Sequence, residues 1–249
     1  MSSLFITSAN EQLYEDYGYS FFHTFPKKQY DLIVYTEDTN MSWCPAWVKA
    51  INHWPTESPE LFRRMNELKT SHTSSDYRNQ PWRWCHKVAA LRLGITLYSL
   101  YKAYDSITWI DFDTTFVNMP NPTEYHNVMS AYNKPIVMHD RTHRLINYPE
   151  TGFIWTNSHV YMPGVNEYVS IYPHAPTYMV NLLYDAFLSD AVEQTNAGHD
   201  AYQIGMLMRG PLSKYFGNCS QEGIHKPHPQ RYGVTKSWWV HNKGKAKYT

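Results

Sequence analysis

Two aspartates stand one residue apart at the end of an apolar run. Residues 106–118 read SITWIDFDTTFVN, and Asp111 and Asp113 follow a segment typical of a buried strand. Burying carboxylates there without a counter-charge would be costly. Carboxylate oxygens bind Mg²⁺ and Mn²⁺, which in turn bind phosphate oxygens. The pair therefore indicates a cation site for a phosphate group, with Phe112 directed into the core. The alternative is that Asp111 caps a turn and Asp113 is simply exposed.

The neighbouring segments predict the elements that position this pair. Strands alternate with helices up to residue 110, so we expect an α/β fold with a mostly parallel sheet. Ligands of such sheets bind at the carboxyl ends of the strands. The predicted strands are 3–7, 30–38, 106–111, 114–117, 135–140, 151–157 and 237–241. The predicted helices are 10–25, 59–68, 81–104, with a kink or break at Gly94, 177–191 and 199–210, and 40–58 is a predicted loop.

Four segments together resemble the glycosyltransferases of the GT-A fold. Asp111-Phe112-Asp113 is similar to their DxD motif, which holds a divalent cation on the diphosphate of a nucleotide sugar. The other three are ETGFI at 150–154, GHDAYQ at 198–203 and SWWVH at 237–241 followed by Lys243. The resemblance implies a single GT-A domain over 1–249, with a mixed, mostly parallel sheet, a nucleotide-sugar half over about 1–118 and an acceptor half over about 119–249.

The resemblance also implies how a cation and a diphosphate would be bound. Asp113 would bind Mn²⁺ or Mg²⁺ directly, and Asp111 would bind it through water or hold the ribose. His241, which ends an apolar strand, would be the third metal ligand, with His225 as its rival. Lys243 and Lys245 would neutralise the leaving diphosphate. The chain lacks the H-x-x-G-x-x-K-P pattern of some GT-A families, and KPHP at 226–229 precedes the histidine strand instead.

Three residues are candidates for contact with the sugar or the acceptor. Asp200, at a predicted helix start, would bind a sugar hydroxyl or act as the base, although it would also suit a helix cap. Glu150 is the rival base, and His199 would hydrogen-bond the sugar or the acceptor. A base must reach the acceptor hydroxyl, which sequence does not show, so retention and inversion both stay open.

Polar residues after the first two strands lie where the nucleoside of such a donor would sit. Thr7 and Ser8 follow the first strand, and Glu37 and Asp38 follow the second. Turn chemistry alone would also favour such residues there.

Two basic residues precede the aspartate strand. Arg83 and Lys87 are four residues apart on the predicted helix, and this spacing places them on one face. We therefore expect both to reach the base or a phosphate. The alternative is a solvated helix face.

Charge and cysteine content limit the classes of function. The 22 basic and 22 acidic residues give a formal net charge of zero, which argues mildly against a dedicated nucleic-acid binder. Three cysteines without a CxxC pair argue against a disulfide framework. The sequence shows neither a signal peptide nor an apolar membrane span, so we expect a cytoplasmic protein, in the host cytoplasm if the source is viral.

The resemblance to GT-A enzymes implies a hexosyl- or pentosyltransferase similar to small bacterial or viral enzymes. It would move a sugar from a nucleotide sugar, with a UDP-sugar favoured, to a hydroxyl of a glycan or lipid-linked glycan. One alternative is a phage-type enzyme that glycosylates a hydroxymethylated pyrimidine in DNA. A nucleotidyltransferase would need a glycine- and lysine-rich loop where this chain has SANEQLYEDY, whereas a phosphohydrolase would also use paired aspartates. A non-enzymatic carbohydrate-binding protein would explain the Trp and Tyr content but not the paired aspartates.

Overall fold

The structure is a computed structural model of the chain. It describes residues 2–51, 54–73, 80–100, 104–139, 149–157, 160–161, 168–169, 175–193, 199–210, 212–219, 225–226 and 238–241. Within these residues, no helix is both long enough and apolar enough to cross a membrane.

The strands and helices alternate along the first half of the chain. The strands are β1 (Ser3–Ser8), β2 (Asp31–Tyr35), β3 (Lys49–Ile51), β4 (Ser106–Ile110), β5 (Thr114–Phe116), β6 (Ile136–His139), β7 (Glu150–Asn157), β8 (Val160–Tyr161), β9 (Tyr168–Val169), β10 (Phe216–Asn218), β11 (His225–Lys226) and β12 (Trp239–His241). The helices are α1 (Glu11–Leu13), α2 (Tyr19–Thr24), α3 (Trp54–Glu57), α4 (Pro59–Ser71), α5 (Cys85–Leu100), α6 (Pro122–Ser130), α7 (Ala175–Leu188) and α8 (Asp200–Arg209).

A seven-stranded sheet forms the centre of the molecule, in the order β10-β6-β7-β4-β1-β2-β3. Strand β7 runs antiparallel to both of its neighbours, and the other pairs are parallel. The predicted α/β fold with a mixed, mostly parallel sheet is therefore confirmed. A smaller sheet, β11-β12-β5, begins directly after the aspartate pair, and β8 pairs with β9. That residues 1–249 form one domain stays a prediction.

Both faces of the large sheet are covered by apolar side chains. Leu4 and Ile6 of β1 pack into one core with residues of α4, α5 and α7, whereas Phe5 packs into a second, aromatic core with α2 and α6. Successive side chains of a strand point to opposite faces, so β1 is buried on both sides. This explains why its sequence is a continuous apolar run instead of an alternating one.

Several boundaries differ from the sequence-based expectations. A π-helical turn at Tyr14–Gly18 interrupts the helix predicted over 10–25, and the loop predicted over 40–58 contains β3 and α3. Helix α5 runs unbroken through Gly94, so the predicted break is wrong. A Cβ added at Gly94 would lie only 2.6 Å from Ile6 Cδ1, so glycine lets α5 lie close against β1.

Candidate active site

The two aspartates lie in the turn between β4 and β5. The amide of Asp111 donates to the carbonyl of Gly152 at 2.9 Å, and the chain then turns through Phe112 and Asp113. Phe112 is buried, and its ring centroid lies 4.6 Å from that of Phe21, which confirms the predicted inward direction of this side chain. The aromatic core therefore anchors the middle of the turn, and both aspartates remain half-buried at the carboxyl end of β4.

Lys87 is the centre of a buried ion-paired cluster. Its ammonium lies 2.9 Å from Asp111 Oδ1 and 2.9 Å from Asp200 Oδ2, and it donates to the carbonyl of Thr151 at 2.7 Å. It also lies 5.2 Å from the ring centroid of Trp109, whose indole Nε1–H donates to Asp111 Oδ1 at 2.8 Å. Burial disfavours the ammonium, but the carboxylates of Asp111 and Asp200 outweigh this and raise the pKa of Lys87 above its ordinary value.

The prediction that Arg83 and Lys87 share one helix face is wrong. Arg83 belongs to a 3₁₀ turn, Pro81–Trp84, and α5 begins only at Cys85. A 3₁₀ turn has three residues per turn, so spacing by four residues does not keep the two side chains aligned. Arg83 is exposed over the ring of Trp82, whereas Lys87 is buried between the two carboxylates.

Asp200 and His199 lie at the start of α8, as predicted. The cap, however, is His199, because its Nδ1 accepts the amide hydrogen of Tyr202 at 3.0 Å. An accepting Nδ1 in a neutral imidazole leaves the proton on Nε2, so the outer nitrogen of His199 is a donor. Asp200 instead is 1% exposed and turns its carboxylate to Lys87. Asp200 is therefore not the helix cap.

The residues predicted around the nucleoside lie at the carboxyl ends of β1 and β2. Thr7 is fully buried, and Ser8, the last residue of β1, pairs in register with Tyr35 of β2. Asp38 Oδ2 accepts from the amide of Glu11 at 2.7 Å and from Trp43 Nε1 at 3.1 Å. The carboxylate of Asp38 thus ties α1 to the segment after β2.

Glu37 has a partner that was not singled out in the sequence. Glu37 Oε2 lies 3.1 Å from His86 Nε2, near the start of α5. Burial lowers the pKa of His86 below its ordinary value even though Glu37 acts in the opposite direction. His86 is therefore a neutral ring beside the Glu37 carboxylate at neutral pH. The one available signal was its position, one residue before Lys87.

For the other predicted site residues, the structure describes only the position of the backbone, or the residue lies outside the described residues. In the pairing of β12 with β5, His241 stands opposite Thr114, the residue after Asp113. His225 is in β11, opposite Trp239 of β12. Glu150 is the first residue of β7, directly before the carbonyl that Lys87 contacts. Lys243 and Lys245 lie outside the described residues.

The donor set at the turn is compatible with a hard cation. Across the described ranges, no group of three or more His, Cys, Asp or Glu side chains is arranged to hold a metal. Asp111 and Asp113 supply the oxygen donors that Mg²⁺ and Mn²⁺ prefer. Since Oδ1 of Asp111 already accepts from Lys87 and Trp109, Asp113 is the better candidate for direct coordination. Lys87 balances only one of the neighbouring negative charges, so a divalent cation would also suit the local charge.

The comparisons with known proteins show what the fold resembles. No family model and no curated protein sequence matches the chain. Its structure is similar to that of mouse xyloside xylosyltransferase 1 in the apo form, with a TM-score of 0.50 and 12% sequence identity over 96% of each chain. It is similar to the apo structure of the bifunctional glycosyltransferase WbbM, with a TM-score of 0.50 and 12% identity over 98% of this chain and 46% of that one. The chain therefore has the GT-A-type α/β fold of these two glycosyltransferases.

Proposed function

We propose that the protein is a metal-dependent glycosyltransferase that moves a sugar from a nucleoside-diphosphate sugar, with a UDP-sugar favoured, to an acceptor hydroxyl on a glycan or lipid-linked glycan. The observation that carries this proposal is the convergence of Asp111, Asp113 and Asp200 at the carboxyl edge of the sheet, with Lys87 between two of them. Ligands of open α/β sheets bind at this edge. The likeness of the fold to two glycosyltransferases agrees with the proposal.

The turn between β4 and β5 would bind the diphosphate of the donor through Mn²⁺ or Mg²⁺. Asp113 would hold the cation, with Asp111 next to it and His241 as the proposed third ligand, since β12 brings His241 opposite Thr114. When bound, such a cation supplies charge stabilisation for the leaving diphosphate. Lys243 and Lys245 would add positive charge on the same side of the donor.

The residues at the start of α8 would bind the sugar. Asp200 offers a carboxylate beside Lys87 that is 1% exposed, so it would accept from a sugar hydroxyl once donor binding makes it accessible. His199 would donate from Nε2, because its Nδ1 is the helix cap. Glu150, at the start of β7, is then the candidate for the base if the reaction inverts the anomeric centre.

The nucleoside would lie at the ends of β1 and β2. Thr7 and Ser8 end β1, and Glu37 and Asp38 follow β2 in the neighbouring parallel strand. The ring of His86, 3.1 Å away, would help to position the Glu37 carboxylate, which would accept from ribose or base. Arg83, exposed next to Trp82, would contact the same part of the donor.

Calorimetric titration with UDP and GDP, each with and without Mn²⁺, tests this proposal. Wild-type protein is expected to bind UDP only with Mn²⁺, and Asp113→Asn is expected to weaken that binding at least about 10-fold. The matched control is Asp190→Asn, which neutralises a side chain that is 94% exposed and far along the chain from the site. The tightest nucleotide then defines the donor screen. Failure of wild-type protein to bind either nucleotide under any metal condition would contradict the proposal and favour simple carbohydrate binding.

A further inference from the structure

The Lys87 ammonium is occupied within the protein by two hydrogen bonds and one further ion pair. A lysine ammonium has three N–H donors. Lys87 Nζ donates to Asp111 Oδ1 at 2.9 Å and to the carbonyl of Thr151 at 2.7 Å. It also lies 2.9 Å from Asp200 Oδ2, a contact that is an ion pair without hydrogen-bond geometry. The residue is 6% exposed, and the Trp109 ring lies against it at 5.2 Å. A phosphate or sugar oxygen would therefore have to displace an existing partner before it could accept from this lysine.

We propose that Lys87 is a positioning residue that contacts no ligand and instead locks Asp111 and Asp200 into one rigid ion-paired unit. The role of this unit in donor binding rests on the function proposed above, whereas the existence of the unit does not. From the sequence, we expected Lys87 to contact the base or a phosphate directly. The role proposed here is indirect instead.

The elements around Lys87 show what the unit connects. Lys87 is on α5, Asp111 ends β4, Asp200 begins α8, and the Thr151 carbonyl belongs to β7. Asp111 stands on the side of the proposed cation, and Asp200 stands on the side of the proposed sugar. Since one ammonium holds both carboxylates, a displacement of either one weakens the contact that fixes the other. Lys87 therefore couples the phosphate side of the site to the sugar side.

The charges of the unit explain why an unpaired member would be costly. Lys87 and Asp200 are both almost fully buried, with side-chain exposures of 7% and 2%. Removing one partner of such a pair leaves an uncompensated charge in the interior, whereas replacing both removes the problem. Lys87→Met should therefore be strongly destabilising, and adding Asp200→Asn should restore part of the stability.

Thermal unfolding of four proteins tests the unit without any ligand. We expect Lys87→Met to lower the unfolding midpoint by about 5 to 15 °C. The K87M/D200N variant should regain at least half of that loss, so that the two substitutions are not additive. Lys28→Met, which removes an exposed lysine, is the matched control and should shift the midpoint by less than about 2 °C. If K87M does not fold, a folded K87M/D200N variant supports the proposal equally, and a double variant no more stable than the single one overturns it.

Nucleotide binding then distinguishes positioning from direct contact. A lysine that donates to a phosphate would, when removed, weaken binding of UDP with Mn²⁺ by about 10- to 150-fold. The proposal expects the K87M/D200N variant to bind UDP with Mn²⁺ within about 10-fold of wild type, because UDP lacks the transferred sugar and Lys87 donates nothing to it. A K87M variant with the wild-type unfolding midpoint and a greater loss of UDP affinity would overturn the proposal. If wild-type protein bound no nucleotide, the proposed function would fail while the thermal cycle still decided the role of Lys87.

Discussion

Two regions of the molecule place one basic side chain among several carboxylates, but they differ in burial. Around Lys87, the side chains of Asp111 and Asp200 are 27% and 2% exposed. On the surface, Arg64 of α4 contacts Glu67 of its own helix and also Asp190 and Glu193, which follow α7. Those three partners are 54%, 94% and 36% exposed. Water can therefore replace any lost partner of Arg64, whereas the burial of Lys87 and Asp200 keeps water from doing the same there. Similar ion-pair chemistry is thus a surface contact in one place and a determinant of site geometry in the other.

The largest expected difference between the two regions is in the cost of removing one carboxylate. Asp200→Ala should lower the free energy of unfolding by about 3–5 kcal/mol, because Lys87 loses a buried partner. Glu193→Ala should lower it by about 1 kcal/mol or less, because its pair with Arg64 is solvated. Urea unfolding of the two variants beside wild type measures both values. Equal costs for the two variants would remove the distinction between the regions.

Alkaline pH should weaken only the buried region. The pKa of Lys87 is raised above its ordinary 10.5, so its contribution to stability is fully present below pH 10.5 and is lost as the pH rises towards the folded-state value. Arg64 stays charged throughout. Burial also raises the pKa of Tyr125 above 10.0, which lowers stability in the same direction. Urea unfolding between pH 9 and 11.5 should show a smaller decline in K87M/D200N than in wild type, by no more than about 1.4 kcal/mol per pH unit.

Identical alkaline slopes in wild type and K87M/D200N would show that Lys87 loses its proton at the same pH in the folded and unfolded chain. In that case the buried phenols and thiols whose pKa values are raised, among them Tyr125, Tyr30 and Cys85, would account for the decline, since they are unchanged in the double variant.

The Glu37–His86 pair is intermediate in burial, with side-chain exposures of 28% and 23%, and should respond to acid. Burial lowers the pKa of His86 below its ordinary 6.5, so the contribution of the neutral ring is present above pH 6.5 and is lost as the pH falls below it. Wild-type stability should therefore decline from pH 7 to 5.5 by no more than about 1.4 kcal/mol per pH unit from this site. In His86→Gln the decline should be shallower. A comparison of urea midpoints across this range measures the difference, and parallel curves would contradict it.

The smallest expected effect is that of salt. Raising NaCl from 0.05 to 1 M shortens the screening length to about 3 Å, so it should abolish most of the difference between Glu193→Ala and wild type. The difference between Asp200→Ala and wild type should persist, because buried pairs are screened much less. Thermal melts in both salts provide the measurement. A large salt dependence for Asp200→Ala would mean that water reaches Lys87.

Sequence reasoning was most successful where the pattern is local. The apolar strand before Asp111, the inward Phe112, the helix start at Asp200 and the mixed sheet all follow from short-range patterns, and the structure has each of them. The shared face of Arg83 and Lys87 was mispredicted because it depends on where the 3₁₀ turn at Pro81–Trp84 changes into α-helix, and composition does not reveal that point.

Contacts between distant segments were beyond the sequence patterns. The Glu37–His86 and Lys87–Asp200 pairs each join residues that only the folded sheet brings together. The roles of His241, Lys243, Lys245 and Glu150 stay predictions, as does the nature of the acceptor.

The pairing of β5 with β12 also determines when the turn of Asp111 and Asp113 can form during synthesis. Phe116 pairs with Trp239, and Thr114 pairs with His241. The strand that follows the turn of Asp111 and Asp113 therefore has its pairing partner only after residue 241 has been synthesised. Ribosomes add about 5–20 residues per second, so the two strands leave synthesis on the order of ten seconds apart. During that interval β5 has an unpaired edge. The turn that we propose for the donor diphosphate therefore closes only after that interval.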